Sequence, residues 1–177
     1  MEIKNCTSGD LEEIKGLYQY AVSLQKKYNA VEWPDFSDDF IQEEIEKKSI
    51  WKIIINRQIA CVWSTTFSDL LIWPQSNHEP AIYIHRIATS PEFRGRFSVR
   101  EIVKWGKAYA KSKEKKFISM DTVGENSRLI EYYQKCGFHF LGLYQLTNTD
   151  GLPAHYQNAE VSIFEIKVGE ETNNLQH

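Results

Sequence analysis

The sequence predicts an α/β domain in which a β-rich hairpin and a strand–turn–helix–strand–helix–strand run follow two N-terminal helices. Three observations carry this. Leu11, Ile14, Leu17, Tyr18, Val22 and Leu24 recur at helical spacing over about 10–27. WKIIIN and QIACVWSTTF are two β-branched runs divided by a turn at Asn56 and Arg57. From Ile82 to Gly142, IHRIATSPEFRGRFSVREIV heads an unbroken alternation of strand and helix patterns that ends in ENSRLIEYYQKCGF.

In chain order, residues 1–7 suggest a short strand, and Ser8 or Asp10 can cap the first helix. NAVEWPDFS breaks at Pro34 before a second helix at about 38–48. The hairpin follows, and then SDLLIWPQSNHEP, a Pro-bearing connection of a length that in compact domains often serves function. Further elements are a strand at 81–89, a helix at about 98–112, a strand at 117–123, a helix at 126–136 and strands at 138–146 and 158–168. With 177 residues and no internal repeat or linker, one domain over 1–168 is expected, with 169–177 as a disordered tail.

Composition excludes several classes. A hydrophobic fraction of 42% and a charged fraction of 25% are ordinary for a soluble protein, and no apolar run is long enough for a membrane span. The N-terminus carries no basic-then-apolar leader, so a cytoplasmic protein is expected. Cys6, Cys61 and Cys136 have neither disulfide-framework nor metal-ligand spacing; reduced thiols and no metal are expected, with Cys136 read as a buried filler. Residues 94–116 carry nine Lys or Arg against Glu101 and Glu114, which leaves −10 on the remainder of a chain whose net charge is −3. Arg96, Arg100, Lys104, Lys107 and Lys111 share one helix face, but no aromatic residues alternate with them, so nucleic acid is not the expected partner.

The turn at Arg94, Gly95 and Arg96 leads from a strand straight into a helix, and helix N-termini attract phosphates. This arrangement resembles the GNAT superfamily of acetyl-CoA-dependent N-acyltransferases. Ile87, Ala88 and Pro91 match its strand end, and Arg94 the first position of its phosphate loop. Its two later small-residue positions fall on Phe97 and Val99, so Gly95, off the pattern, supplies the backbone freedom and the loop must be shaped differently. Asn126, Tyr133, Gly137 and Phe138 match the second landmark in order and spacing.

The resemblance implies a mixed, mostly antiparallel sheet of about seven strands with helices on both faces, in which the strands at 81–89 and 117–123 run parallel and splay around the cofactor. It implies acetyl-CoA as acyl donor, an amine of a small molecule or peptide as acceptor, and direct attack in a ternary complex. Cofactor binding then falls to Ile87, Ala88, Thr89, Arg94, Gly95, Arg96, Phe97, Ser98, Val99, Asn126 and Tyr133. Tyr133 would protonate the leaving thiolate, while Tyr132, its helical neighbour, should point elsewhere. For the base, His85 shares a sheet face with Ile87 by strand alternation and would act near its intrinsic pKa of about 6.5; a carboxylate or ordered water is the other route. Trp33, Glu32, Asp35, Trp73, Asp150, His155 and Tyr156 stand on connections that would flank the acceptor. Aromatic loops of this kind also allow a homodimer contact. The second reading is a non-catalytic CoA-sensing or protein-interaction module with a degenerate phosphate loop.

Overall fold

A computed structural model describes residues 1–73, 80–96 and 98–169. The residues Phe97, 74–79 in the connection, and the expected tail beyond Gly169 lie outside it. The elements are β1 Glu2–Asn5, α1 Leu11–Lys27, α2 Asp38–Glu46, β2 Ile50–Ile55, β3 Gln58–Thr66, β4 Ala81–Thr89, α3 Ser98–Ser112, β5 Phe117–Val123, α4 Ser127–Lys135, β6 His139–Gln145 and β7 Glu160–Lys167.

Local chemistry sets the boundaries. Asn56 and Arg57 both take positive φ, 50° and 68°, the backbone a two-residue hairpin between β2 and β3 requires. Ser37 Oγ accepts from Phe40 N at 3.2 Å and starts α2. Asp10 stands at the start of α1, but its carboxylate does not cap the helix; both oxygens lie 2.6 Å from Lys52 Nζ, a nearly buried lysine of β2.

Seven strands form one sheet in the order β1-β2-β3-β4-β5-β7-β6, with β4 and β5 its parallel pair and every other pairing antiparallel. Strand alternation sorts the core onto two faces. Ile53, Trp63, Ile82, Ile84, Ile118 and Phe164 pack under α3 and α4, where Ile102, Val103 and Tyr133 meet them. On the opposite face Ile14, Leu17, Tyr18, Ile41 and Ile45 of α1 and α2 cover Ile50, Ile59 and Val62. All three thiols are buried; burial pushes the Cys6 and Cys61 pKa values up to about 12 and raises that of Cys136, so these groups act as small apolar fillers.

Candidate active site

The sheet opens in its middle. β4 pairs with β5 from Ala81–Ile84 against Phe117–Met120 and then stops. On its other edge His85 pairs with Ser64 and Ala88 with Val62, which leaves Arg86 and Ile87 opposite Trp63 alone. Two residues facing one make a bulge, and Arg86 sits there at φ 52°, a conformation that costs a non-glycine residue about 1 kcal/mol. Arg86 is held there by Glu44 at 2.6 Å and by the rings of Phe36 and Phe40, 5.7 and 5.1 Å from its guanidinium carbon. From His85 to Thr89, β4 therefore has no strand partner on its β5 side, and a cavity of about 640 Å³ fills the gap.

The bulge overturns one expectation drawn from strand alternation. Ile87 packs with Ile82 and Ile84 on the α3 side, while Ala88 joins the α1–α2 cluster. His85, next to Ile84, faces the opposite way from Ile87, because the extra residue at Arg86 reverses the alternation.

At one end of the cavity lie Ile87, Ala88, Thr89, Arg94 and Val99. Gly95 turns the chain with φ 75°, whereas Val99 is the second residue of α3 and packs against the core. Val99, inside α3, needs no positive φ, and Gly95 supplies one upstream of the helix, which is how a β-branched residue is accommodated there. Gly95, Arg96 and Ser98 do not line the cavity; Arg96 lies over the Phe93 ring at 5.3 Å. Arg94, exposed at the cavity's edge, reaches the phenols of Tyr20 and Tyr28 on and just beyond α1. If Arg94 meets a phosphate, Arg94→Ala should weaken acetyl-CoA binding by about tenfold, the loss of one charge-assisted hydrogen bond, read by calorimetric titration.

α4 supplies the middle of the cavity. Asn126 Oδ1 accepts from Leu129 N at 3.1 Å, so this residue is the helix cap as well as a cavity wall. Asn126→Ala should cost about 1 kcal/mol of stability in a denaturant titration, whatever its effect on a ligand. Tyr133 is 8% exposed, with its ring against Phe164 at 5.2 Å and Phe138 at 6.0 Å, and burial raises its pKa well above the usual phenol value. Tyr132 does not point elsewhere. It is 38% exposed, yet it lines the same cavity, its ring 5.6 Å from that of Tyr133.

The far end is acidic. Asp69, on the connection after β3, and Asp121 of β5 converge with His85, one ligand-capable atom of each within 4.8 Å of the others. No other trio of His, Cys, Asp or Glu among the described residues converges this closely. Tyr156 donates to Asp121 Oδ2 at 2.8 Å, and His85 Nε2 lies 3.6 Å from Asp69 Oδ2 and 3.4 Å from Thr66 Oγ1. Burial, with the Asp121 charge, pushes Asp69 up to about 7, and burial pushes Asp121 to about 6. Burial and the neighbouring Arg86 drive His85 the other way, down to about 3. His85 therefore does not titrate near 6.5; its ring stays neutral and is a poor proton acceptor.

Of the acceptor residues read from the sequence, Trp33, His155 and Tyr156 line this cavity. Glu32 and Asp35 line a separate surface groove against α1, and Glu32 pairs with Lys26 at 3.6 Å. Trp73 is buried against Tyr83 at 6.0 Å, and neither it nor the exposed Asp150 reaches the cavity. Asp69 and Asp121 were missed. The available signal was a carboxylate inside the strand pattern ISMDTV, where a charge has to have a reason.

The sequence profile of the Acetyltransferase (GNAT) family matches residues 18–138. The chain belongs to the GNAT family. A relative, "Uncharacterized N-acetyltransferase YesJ" of Bacillus subtilis, is 26% identical over 143 residues, covering 75% of this chain and 78% of that protein. Among solved structures, a GNAT acetyltransferase from Listeria monocytogenes superposes with a TM-score of 0.72 at 17% identity over 94% of both chains. The putative acetyltransferase yncA of Salmonella typhimurium, solved with acetyl-CoA, gives 0.66 at 12% identity over 97% of this chain and 95% of that one. At those identities the likeness is one of fold, and the GNAT fold is what the parallel, parted β4 and β5 embody. No helix of the described residues is long and apolar enough to cross a membrane.

Proposed function

We propose that this GNAT protein transfers the acetyl group of acetyl-CoA to a primary amine of a small molecule or peptide by direct attack in a ternary complex. The observation that carries the reading is the continuity of the cavity. It runs from Arg94 and the start of α3, past the unpaired backbone of β4 and Tyr133, to the carboxylates Asp69 and Asp121. Each requirement of the reaction has a group on that path. The β5-facing backbone edge of Ile87 to Thr89, which has no strand partner, suits an extended acyl-pantetheine arm and a thioester carbonyl. Tyr133 serves the departing sulfur. Connections on both sides, through Trp33 and through His155 and Tyr156, bound the acceptor.

Thermal unfolding with acetyl-CoA, CoA and ATP side by side tests the donor. A ligand at about 100 times its Kd adds about 2.7 kcal/mol, several degrees for this size. Shifts with acetyl-CoA and CoA but not ATP are expected, followed by thiol release with an amine. A shift without turnover of any amine would favour the CoA-sensing module, and no shift up to millimolar concentration would remove the reading.

A further inference from the structure

Two features of the acceptor end remain unused by these roles. The first is a pair of orphaned oxygens. Asp121 Oδ2 has the Tyr156 phenol, but Asp121 Oδ1 and Asp69 Oδ2 are buried with no hydrogen-bond partner among the described residues, and both side chains line the cavity. Buried carboxylate oxygens call for a donor, and two carboxylates that converge within 4.8 Å call for a cationic one. The second is the apolar lining of the same cavity. Leu24, Val31, Trp33, Phe36 and Phe40 contribute to it, and the Phe36 and Phe40 rings already hold a cation, the Arg86 guanidinium, itself paired with Glu44.

We propose that the acceptor is a primary amine borne on an apolar or aromatic body, its ammonium seated on Asp69 and Asp121 and its proton passing to Asp69. The inference rests on the acetyl-transfer reading and deepens it. An amine with a second cation would bring that charge against Arg86. An amino acid would bring its carboxylate against the two aspartates. A single ammonium on an apolar body meets neither.

Asp69 rather than Asp121 takes the proton because of what faces each. Asp121 on β5 keeps its charge through the Tyr156 hydrogen bond from the β6–β7 connection. Asp69 receives no such phenol, faces the Asp121 charge, and has on β4 only the neutral His85 ring, with Arg86 committed to Glu44 of α2. Both carboxylates ionised together is the costly state, so the ionised pair readily takes up one proton, here that of the bound ammonium. Asp69 removes one ammonium proton before attack. The N–C bond then forms and the C–S bond breaks. The second nitrogen proton replaces the one that Tyr133 gives the sulfur. The products are an amide, a thiol and one proton released from Asp69 to solvent.

Thiol release at saturating acetyl-CoA tests this with phenethylamine and hexylamine against spermidine, agmatine and phenylalanine. The first pair should exceed the others by about tenfold in kcat/KM, the scale a mismatched polar or apolar contact sets. Asp69→Asn should lower kcat by roughly 100-fold and abolish the acid limb near pH 7, while the thermal shift with acetyl-CoA stays as in the parent. Asp121→Asn, a second variant, should move that limb to lower pH by removing the repelling charge. Preference for spermidine or phenylalanine, a wild-type pH profile in Asp69→Asn, or a rate that falls on chelation would each overturn the inference. An acetyl-CoA shift with no amine of the panel acetylated also overturns it and leaves donor binding standing. Absence of the shift overturns the reading beneath it as well.

Discussion

Tyr133→Phe is expected to lower kcat for acetyl transfer by roughly 100-fold, the lower end of what a positioned proton donor contributes, with little change in stability. The ring contacts with Phe138 and Phe164 survive the substitution, so folding should lose well under the 3 kcal/mol of a core truncation. The direction of the Tyr133 pKa shift shapes the chemistry. A thiol has a reference pKa of about 8.5, and burial holds this phenol far above its usual 10. Complete transfer from the phenol to sulfur is therefore uphill by itself. The phenol can stabilise the thiolate as a hydrogen-bond donor, and it can pass a proton on only as it receives one from the acetylated nitrogen. That concerted route predicts a solvent isotope effect on kcat in the parent that shrinks in Tyr133→Phe. Single-turnover measurement at saturating acetyl-CoA is the check, because it separates chemistry from product release. An unchanged rate would make Tyr133 a core residue that happens to border the cavity.

The elements themselves were legible because period and punctuation coincide. WKIIIN, Asn56-Arg57 and QIACVWSTTF became a hairpin with two positive φ angles, and Asn126 opened α4 where its side chain caps the helix. The parting of β4 from β5 also followed from the resemblance. What failed was what depends on contacts between distant residues. The bulge at Arg86 has no Gly or Pro to announce it, since the strain is carried by Glu44 and two Phe rings from another element, so the side of the sheet that His85 faces came out wrong. Its depressed pKa follows from the same burial. Trp73 reads as a loop aromatic beside Pro74, yet its ring is buried and packs on Tyr83. Asp69 and Asp121 stand far apart in sequence, and only the fold makes them neighbours. A carboxylate's ordinary exposure makes each look unremarkable alone.

That pair sets the second large effect, in stability. Asp69 and Asp121 have pKa values raised to about 7 and about 6, against about 3.8 for a free Asp. The unfolded chain sheds both protons near pH 4, while the folded chain keeps them until pH 6–7. In that interval the unfolded state binds fewer protons, and the contribution of the pair to stability falls as pH rises. His85 works against this. With its folded pKa depressed to about 3, the unfolded state binds the extra proton up to about pH 6.5, so its contribution grows over the same interval. The two aspartates outweigh the one histidine by one proton, so the parent should lose stability steadily from about pH 4 through 7. Asp69→Asn removes that decline. At pH 8 the variant should be more stable than the parent by about 2 kcal/mol, below the full linkage value because part of the shift is mutual repulsion with Asp121, and at pH 4.5 the two should match. The Tm difference at pH 8 should be roughly 4–8 °C, measured by calorimetry across the pH series. A variant less stable than the parent at pH 8 would show that the charged Asp69 is compensated in the folded state, and it could not then be the group that takes up a proton near neutrality. A stabilised variant that has lost turnover would place the cost of a buried carboxylate where the reaction needs a base, a trade that only a functional site has cause to keep.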